Sequence, residues 1–252
     1  MEMSEHVSAL AAEGRALASA ARDAGPDAPV PTCPGWRIRD LLGHTSMVHR
    51  WATAFLVDGH RTYHPMEEEP ELDGDALFDR FTEGHRLLVD ALRAAPADLE
   101  CWTIFSGPSP LAFWARRQAH ETRIHRVDAE SARGGPLTPV APPHAVDGID
   151  ELLAGFHARD RSRVRTEVPR TLRIRAVDTG KDTDAVWTVR LSAGPPVTVR
   201  GADAQDASAD CTLSGTADEL YLALWNRLPL TSVSLSGDPE VAGLWERNSA
   251  VV

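Results

Sequence analysis

Lysine is almost absent from this chain: Lys181 is the only one among 26 basic residues, and arginine supplies the rest. With alanine abundant, this reads as a GC-rich coding bias of the actinobacterial type, and it excludes no chemistry. Cysteine is scarce as well. Cys33, Cys101 and Cys211 are odd in number, far apart and form no CxxC pair. That excludes a disulfide framework and leaves mostly buried, reduced thiols of a cytoplasmic protein. No apolar run approaches the length that spans a bilayer. Met1 to Ala12 is acidic and helical in pattern, without the basic-then-apolar layout of a secretory leader. Positive charge is in deficit. A formal net charge of −11 repels nucleic-acid phosphate and anionic lipid, and no long basic patch reverses it. The expectation is a soluble monomer or homodimer whose partners are small molecules.

What is present divides into two halves with different periods. In the first, apolar residues recur at helical spacing over Ser4 to Ala21, Ile38 to Leu56 (Leu41, Val48, Phe55), Asp75 to Ala95 (Leu77, Phe81, Leu88, Leu92) and Pro110 to Ala132. Ser109 is the N-cap of the last, with Pro110 in its first turn. Four helices of similar length predict an up-down-up-down bundle. Between the second and third lies Asp58 to Gly74, whose Glu67-Glu68-Glu69 run suits a solvated surface loop better than a lid over a site.

Arg133 to Pro143, rich in Gly and Pro and without period, marks a boundary between domains expected over 1–140 and 146–252. A short helix over Val146 to Ala158 opens the second half, where the period becomes two. Leu172, Ile174 and Ala176 alternate with Arg173 and Arg175, and Trp187, Val189 and Leu191 with Thr188 and Arg190. Val197/Val199, Cys211/Leu213 and Val233/Leu235 continue the pattern. A capping box at Thr216 to Glu219 and the pair Asp238-Pro239 start two further helices. The fold class is α+β in two domains, with no internal repeat.

The chemistry-bearing stretch is Gln118-Ala119-His120-Glu121-Thr122-Arg123-Ile124-His125 in the fourth helix. It fails the zincin pattern HExxH, because Ile124 occupies the second ligand position. Glu121 and His125, four residues apart, share a face, and a carboxylate with an imidazole at that spacing can hold one divalent ion. A further ligand must come from another helix. His44 is the choice, since it shares a stripe with Leu41, Val48 and Trp51; His49 and His85 compete with it. Against this stands the plain alternative that Glu121 and His125 are a surface ion pair and His44 a satisfied core residue. Spacing alone leaves the two readings open.

Thr32-Cys33-Pro34-Gly35-Trp36, running into Arg39-Asp40-Leu41-Leu42-Gly43-His44, resembles the hallmark of the mycothiol-dependent maleylpyruvate isomerase family, in which a CPGW turn opens the second helix and a histidine follows in an LLxH context. A second hallmark, E-x-x-x-H followed by Asp, matches Glu121, His125 and Asp128. A third, LWxR with a later GD, matches Leu224-Trp225-Asn226-Arg227 and Gly237-Asp238. The resemblance spans essentially the whole chain. It implies a DinB-like four-helix bundle joined to a sterol-carrier-like α+β domain, with a divalent metal, zinc first, on His44, Glu121 and His125.

The resemblance also implies mycothiol as thiol cofactor or co-substrate. Its thiolate would add to an electrophilic carbon, giving either isomerisation of a maleylpyruvate-like acid or S-transfer. Arg227 is the residue expected to hold an anionic substrate, because a guanidinium suits carboxylates, in a cleft between the domains; the plain alternative is a surface arginine at a helix C-terminus. Arg116, Arg117 and Arg123 are expected mostly to face solvent. Cys33 reads as a small apolar filler near Trp36, since the nucleophile is the added thiol. Trp51, Trp114 and Trp225 read as core or pocket wall. The alternatives are a metal-dependent hydrolase on the same scaffold and a non-catalytic module for an apolar ligand.

Overall fold

Helix starts follow local chemistry in the computed structural model, which describes residues 1–68, 70–179, 185–201 and 208–251. Glu69, the last of the acidic run, and the single lysine, Lys181, lie outside the described residues. Helix α1 spans Met3–Ala24, α2 Ile38–Asp58, α3 Gly74–Ala94 and α4 Pro110–Arg133. The α4 N-cap is Ser109, whose hydroxyl accepts from the Ala112 amide at 3.1 Å, meeting one of the donors a helix start leaves over. The chain divides into two units, Met1–Thr138 and Pro139–Val252.

Two apolar clusters form the core of the first unit. One joins Val7 and Leu10 of α1, Trp51 and Phe55 of α2, Leu88 and Leu92 of α3, and Leu111 and Trp114 of α4. The other joins Leu17, Leu41, Phe81 and Ala129 from the same four helices. Each side chain removed from water contributes about 1.5–3 kcal/mol. The memberships also fix direction. The start of α1, the ends of α2 and α3 and the start of α4 share one cluster, so the helices run up, down, down, up.

The strict up-down-up-down alternation is thereby corrected, while the four-helix bundle and the α+β class stand. Helices α2 and α3 are parallel: Arg39 meets Asp73 where both begin, and Arg50 meets Glu83 at 3.0 Å further along. The segment 59–73 must therefore return along the bundle. Extended, it reaches about 50 Å, ample for the about 30 Å length of a helix of this size. It is tied down on the way: the Trp51 indole donates to the His64 carbonyl at 2.6 Å, and the Trp102 amide donates to that of His60 at 2.8 Å.

In the second unit α5 spans Pro142–Asp150 and continues as a π-helical turn over Glu151–Phe156. The helix starts before the expected Val146 because its two prolines sit in the first turn, where an amide hydrogen has no partner to lose. Strands β1 (Arg170–Ala176), β2 (Val186–Leu191), β3 (Val197–Arg200), β4 (Cys211–Gly215) and β5 (Ser234–Gly237) form one sheet in the order β3-β2-β1-β4-β5. Among the described residues, only β1 and β4 pair in parallel.

Leu172, Ile174, Val189, Leu191, Cys211 and Leu213 turn to the buried side, as the alternation predicts. Edge strand β5 is exposed along its length. Helix α6 (Ala217–Leu224) starts at the Thr216 capping box and α7 (Pro239–Asn248) at Asp238. The Trp245 indole donates to the Leu224 carbonyl at 3.1 Å and joins them. No helix among the described residues is long and apolar enough to cross a membrane.

Candidate metal centre

Between the two apolar clusters, α2 and α4 bring polar side chains together. Antiparallel packing sets His44 of α2 opposite Glu121 and His125 of α4. The His44 Nε2 lies 3.3 Å from Glu121 Oε1, and the His125 Nε2 lies 3.1 Å from the same oxygen. One ligand atom from each of the three falls within 4.8 Å of the others. Around a tetrahedral ion with bonds of 2.0–2.1 Å, neighbouring ligand atoms stand about 3.3 Å apart. Two imidazoles and a carboxylate are also the donor set of zinc sites that keep a fourth position open. The residues fit a divalent ion.

The surroundings separate this trio from a surface ion pair. The side chains of His44 and Glu121 are 31% and 21% exposed and that of His125 only 9%. The second imidazole nitrogen of His125, Nδ1, is 2.9 Å from Asp128 Oδ2, a carboxylate with no exposure at all. The Arg117 guanidinium, buried and one turn before Glu121, donates to its Oε2 at 3.0 Å. The Trp36 ring lies 5.0 Å from the ring of His44 and stacks at 6.3 Å on that of His125.

Charge follows geometry. Burial raises the Glu121 carboxyl, but hydrogen bonds and charge from His125, with His44 and Arg117, outweigh it and hold the acid well below its usual range. For His125 burial acts downward, and the hydrogen bonds to Asp128 and Glu121 overcome it, raising the imidazole to about 9.

The competing histidines stand elsewhere. His49 is fully buried, its Nε2 2.8 Å from the Thr122 hydroxyl and its ring 5.7 Å from those of Phe81 and His85. Burial keeps it neutral. His85 is 3.0 Å from the Leu10 carbonyl, and His120 accepts from Arg123 at 3.3 Å.

Two expectations are corrected. Arg117 and Arg123 are buried, not solvated, and Arg116 is half-buried; Arg123 and Arg126 donate to the two oxygens of Glu13 on α1 at 2.8 and 2.9 Å. Cys33 is no mere filler, because its thiol donates to Asp128 Oδ2 at 3.4 Å. Asp128, which closes the E-x-x-x-H hallmark, and Arg117, to which the sequence gives no place in the cluster, lie three residues after His125 and four before Glu121 on the same helix face. Trp51 and Trp114 are core residues and Trp225 is half-buried. Arg227, in the second unit after α6, donates to the Trp225 carbonyl at 2.8 Å, next to Asn226 in the left-handed region at φ 58°.

Residues 7–130 match the mycothiol maleylpyruvate isomerase N-terminal domain, and residues 143–244 match the MDMPI C-terminal domain. Among solved structures, the mycothiol-dependent maleylpyruvate isomerase superposes with a TM-score of 0.64 at 16% identity, over 94% of this chain and 93% of that one. A mutant of the mycothiol-dependent maleylpyruvate isomerase gives the same score and coverage at 14% identity. At such identities the likeness is one of fold. No curated protein matches the chain.

Proposed function

The chain belongs to the mycothiol maleylpyruvate isomerase family of enzymes, and on that footing we propose that His44, Glu121 and His125 hold a divalent ion, zinc first, beside which mycothiol is used as nucleophile. The observation that carries the reading is the convergence of two imidazole Nε2 atoms on one carboxylate oxygen, at 3.3 and 3.1 Å, in a half-buried site. When bound, such an ion supplies the positive charge that keeps a thiol deprotonated at neutral pH.

The protein's own groups do the rest. Arg117 occupies Glu121 Oε2 and leaves Oε1 to the site. Its fixed positive charge favours an anion there, and the Trp36 ring walls the two imidazoles. A thiolate held at this place adds to an electrophilic carbon of a small acid. If the acceptor is a cis-alkene, the former double bond rotates as a single bond and the thiolate is expelled to give the trans acid. If the acceptor carries a leaving group, that group departs with its bonding electron pair and the sulfur stays on the carbon as a thioether. Arg227 is the proposed partner of the substrate carboxylate, through the bidentate contact a guanidinium makes.

The test is elemental analysis together with product mass. Purified protein is expected to carry close to one divalent ion per chain, His125→Ala to lose it, and His49→Ala to keep it. With mycothiol and a panel of electrophilic acids, wild type is expected to yield either an isomer or a thioether. Wild type that takes up no ion on addition overturns the reading. Arg227→Ala is expected to keep ion and fold while losing about 2–3 kcal/mol of kcat/KM on an anionic substrate, with lysine restoring part of it. Undiminished kcat/KM in that variant removes Arg227 from the site.

A further inference from the structure

The Thr32-Cys33-Pro34-Gly35-Trp36 turn supplies none of the three convergent ligands, yet it is built against them. Gly35 sits at φ +89°, a conformation that suits glycine, and the Trp36 amide donates to the Cys33 carbonyl at 2.9 Å. The tightened turn points two side chains at α4. The Thr32 hydroxyl donates to Asp128 Oδ1 at 2.6 Å, and the Cys33 thiol donates to Oδ2 at 3.4 Å. Thr32 also meets the Ser131 hydroxyl at 3.1 Å, which in turn donates to the Asp128 carbonyl at 2.7 Å. A carboxylate with no solvent exposure is costly unless its hydrogen bonds are met. Here they are met by the turn on one side and by His125 on the other.

The two nitrogens of His125 are thus engaged in opposite directions, Nδ1 toward Asp128 at 2.9 Å and Nε2 toward Glu121 Oε1 at 3.1 Å. A carboxylate that accepts the Nδ1 hydrogen fixes the tautomer whose Nε2 lone pair faces the site, and it holds the ring plane. We propose that Asp128 is a positioning residue for the metal centre, acting through His125, and that the Thr32 to Trp36 turn is the brace that sets the Asp128 carboxylate. This rests on the reading of His44, Glu121 and His125 as metal ligands. It assigns to the turn a role in metal retention that a simple tie between turn and helix lacks.

The experiment loads wild type, Asp128→Asn, Thr32→Val and Thr122→Val with cobalt(II) and reads two quantities: affinity by chelator competition and the visible ligand-field spectrum. Zinc-loaded protein adds a third, the downfield Nδ1 proton of His125 by NMR. Asp128→Asn keeps the volume and removes the charge; it is expected to bind cobalt about 10–100-fold more weakly, with a shifted spectrum and the His125 proton moved or lost. Thr32→Val is expected to change all three readouts in the same direction and by less. Thr122→Val breaks another buried tie between α2 and α4, the one to His49, and is expected to lower the melting temperature without changing affinity or spectrum.

Folded Asp128→Asn and Thr32→Val proteins with wild-type affinity and spectrum overturn the proposal while the metal reading survives. Should Asp128→Asn not fold, Thr32→Val decides alone. Wild type that takes up no cobalt or zinc overturns both, a result distinct from the first.

Discussion

At His125 a proton and a metal ion compete for one nitrogen. Asp128 and Glu121 raise the imidazole to about 9 against its burial, so below that pH an incoming ion must displace a proton. Apparent metal affinity is expected to rise by about tenfold per pH unit from pH 6 toward 9, and to level off above 9. The raised value also means that the metal-free protein draws stability from protonated His125 below about pH 6.5 and loses it as pH climbs through 9. Bound ion removes that dependence. Chelator competition across this range measures the slope, and a flat profile would mean that His125 is not the ligand that gives up the proton.

Helix α4 shows how an element can carry many charges and still be core. Arg123 and Arg126 clamp Glu13 of α1, and Arg126 also donates to Glu130 and the Thr138 carbonyl, both at 2.7 Å. These pairs pin α4 against α1 at Glu13 and so fix the register of the two helices. On its other side α1 approaches α3 closely, at Gly14. A Cβ there would stand 2.2 Å from the His85 Nε2, and that ring is held by the Leu10 carbonyl. Gly14→Ala is therefore expected to destabilise the protein by about 1–3 kcal/mol, the usual cost of overpacking. His85→Ala should remove most of the added penalty in a double-mutant cycle read by urea unfolding. Additive effects of the two substitutions would show that the helices part without meeting the ring.

For the molecule as a whole, acid stability is set in part far from the centre. His157 of the second unit is buried against the Trp245 ring at 4.7 Å, its Nδ1 3.0 Å from the Ser162 hydroxyl. Burial lowers it to about 4, only partly opposed by a hydrogen bond with the Ser249 backbone. The unfolded chain therefore takes up this proton first. Stability from neutral His157 is complete above about pH 6.5 and is lost as pH falls through 4, a change on the order of 3 kcal/mol. His157→Gln should be less stable than wild type at pH 7, and the gap should close by pH 4. A gap in urea midpoint that stays constant with pH would mean the imidazole is not neutral in the fold.

Much of this architecture was legible in the chain. Ser109-Pro110, the Thr216 capping box and Asp238-Pro239 name helix starts, because an N-cap acts on amides within its own first turn. Alternation over β1, β2 and β4 names the buried face of a sheet, because successive side chains must point to opposite sides. Glu121 and His125 share a helix face by spacing alone, and the CPGW and LLxH pattern pointed to His44 as their neighbour. Which helix lies beside which was decided only by packing. The segment 59–73 is long enough to join α2 to α3 in either direction, and the two apolar clusters with the Arg39–Asp73 and Arg50–Glu83 pairs select the parallel one. Arg123 looks solvated in sequence because its partner Glu13 lies more than a hundred residues away. For the same reason Thr32 and Cys33 gave no sign of Asp128. Local spacing determines which side chains share a face, and only the tertiary fold determines what that face meets.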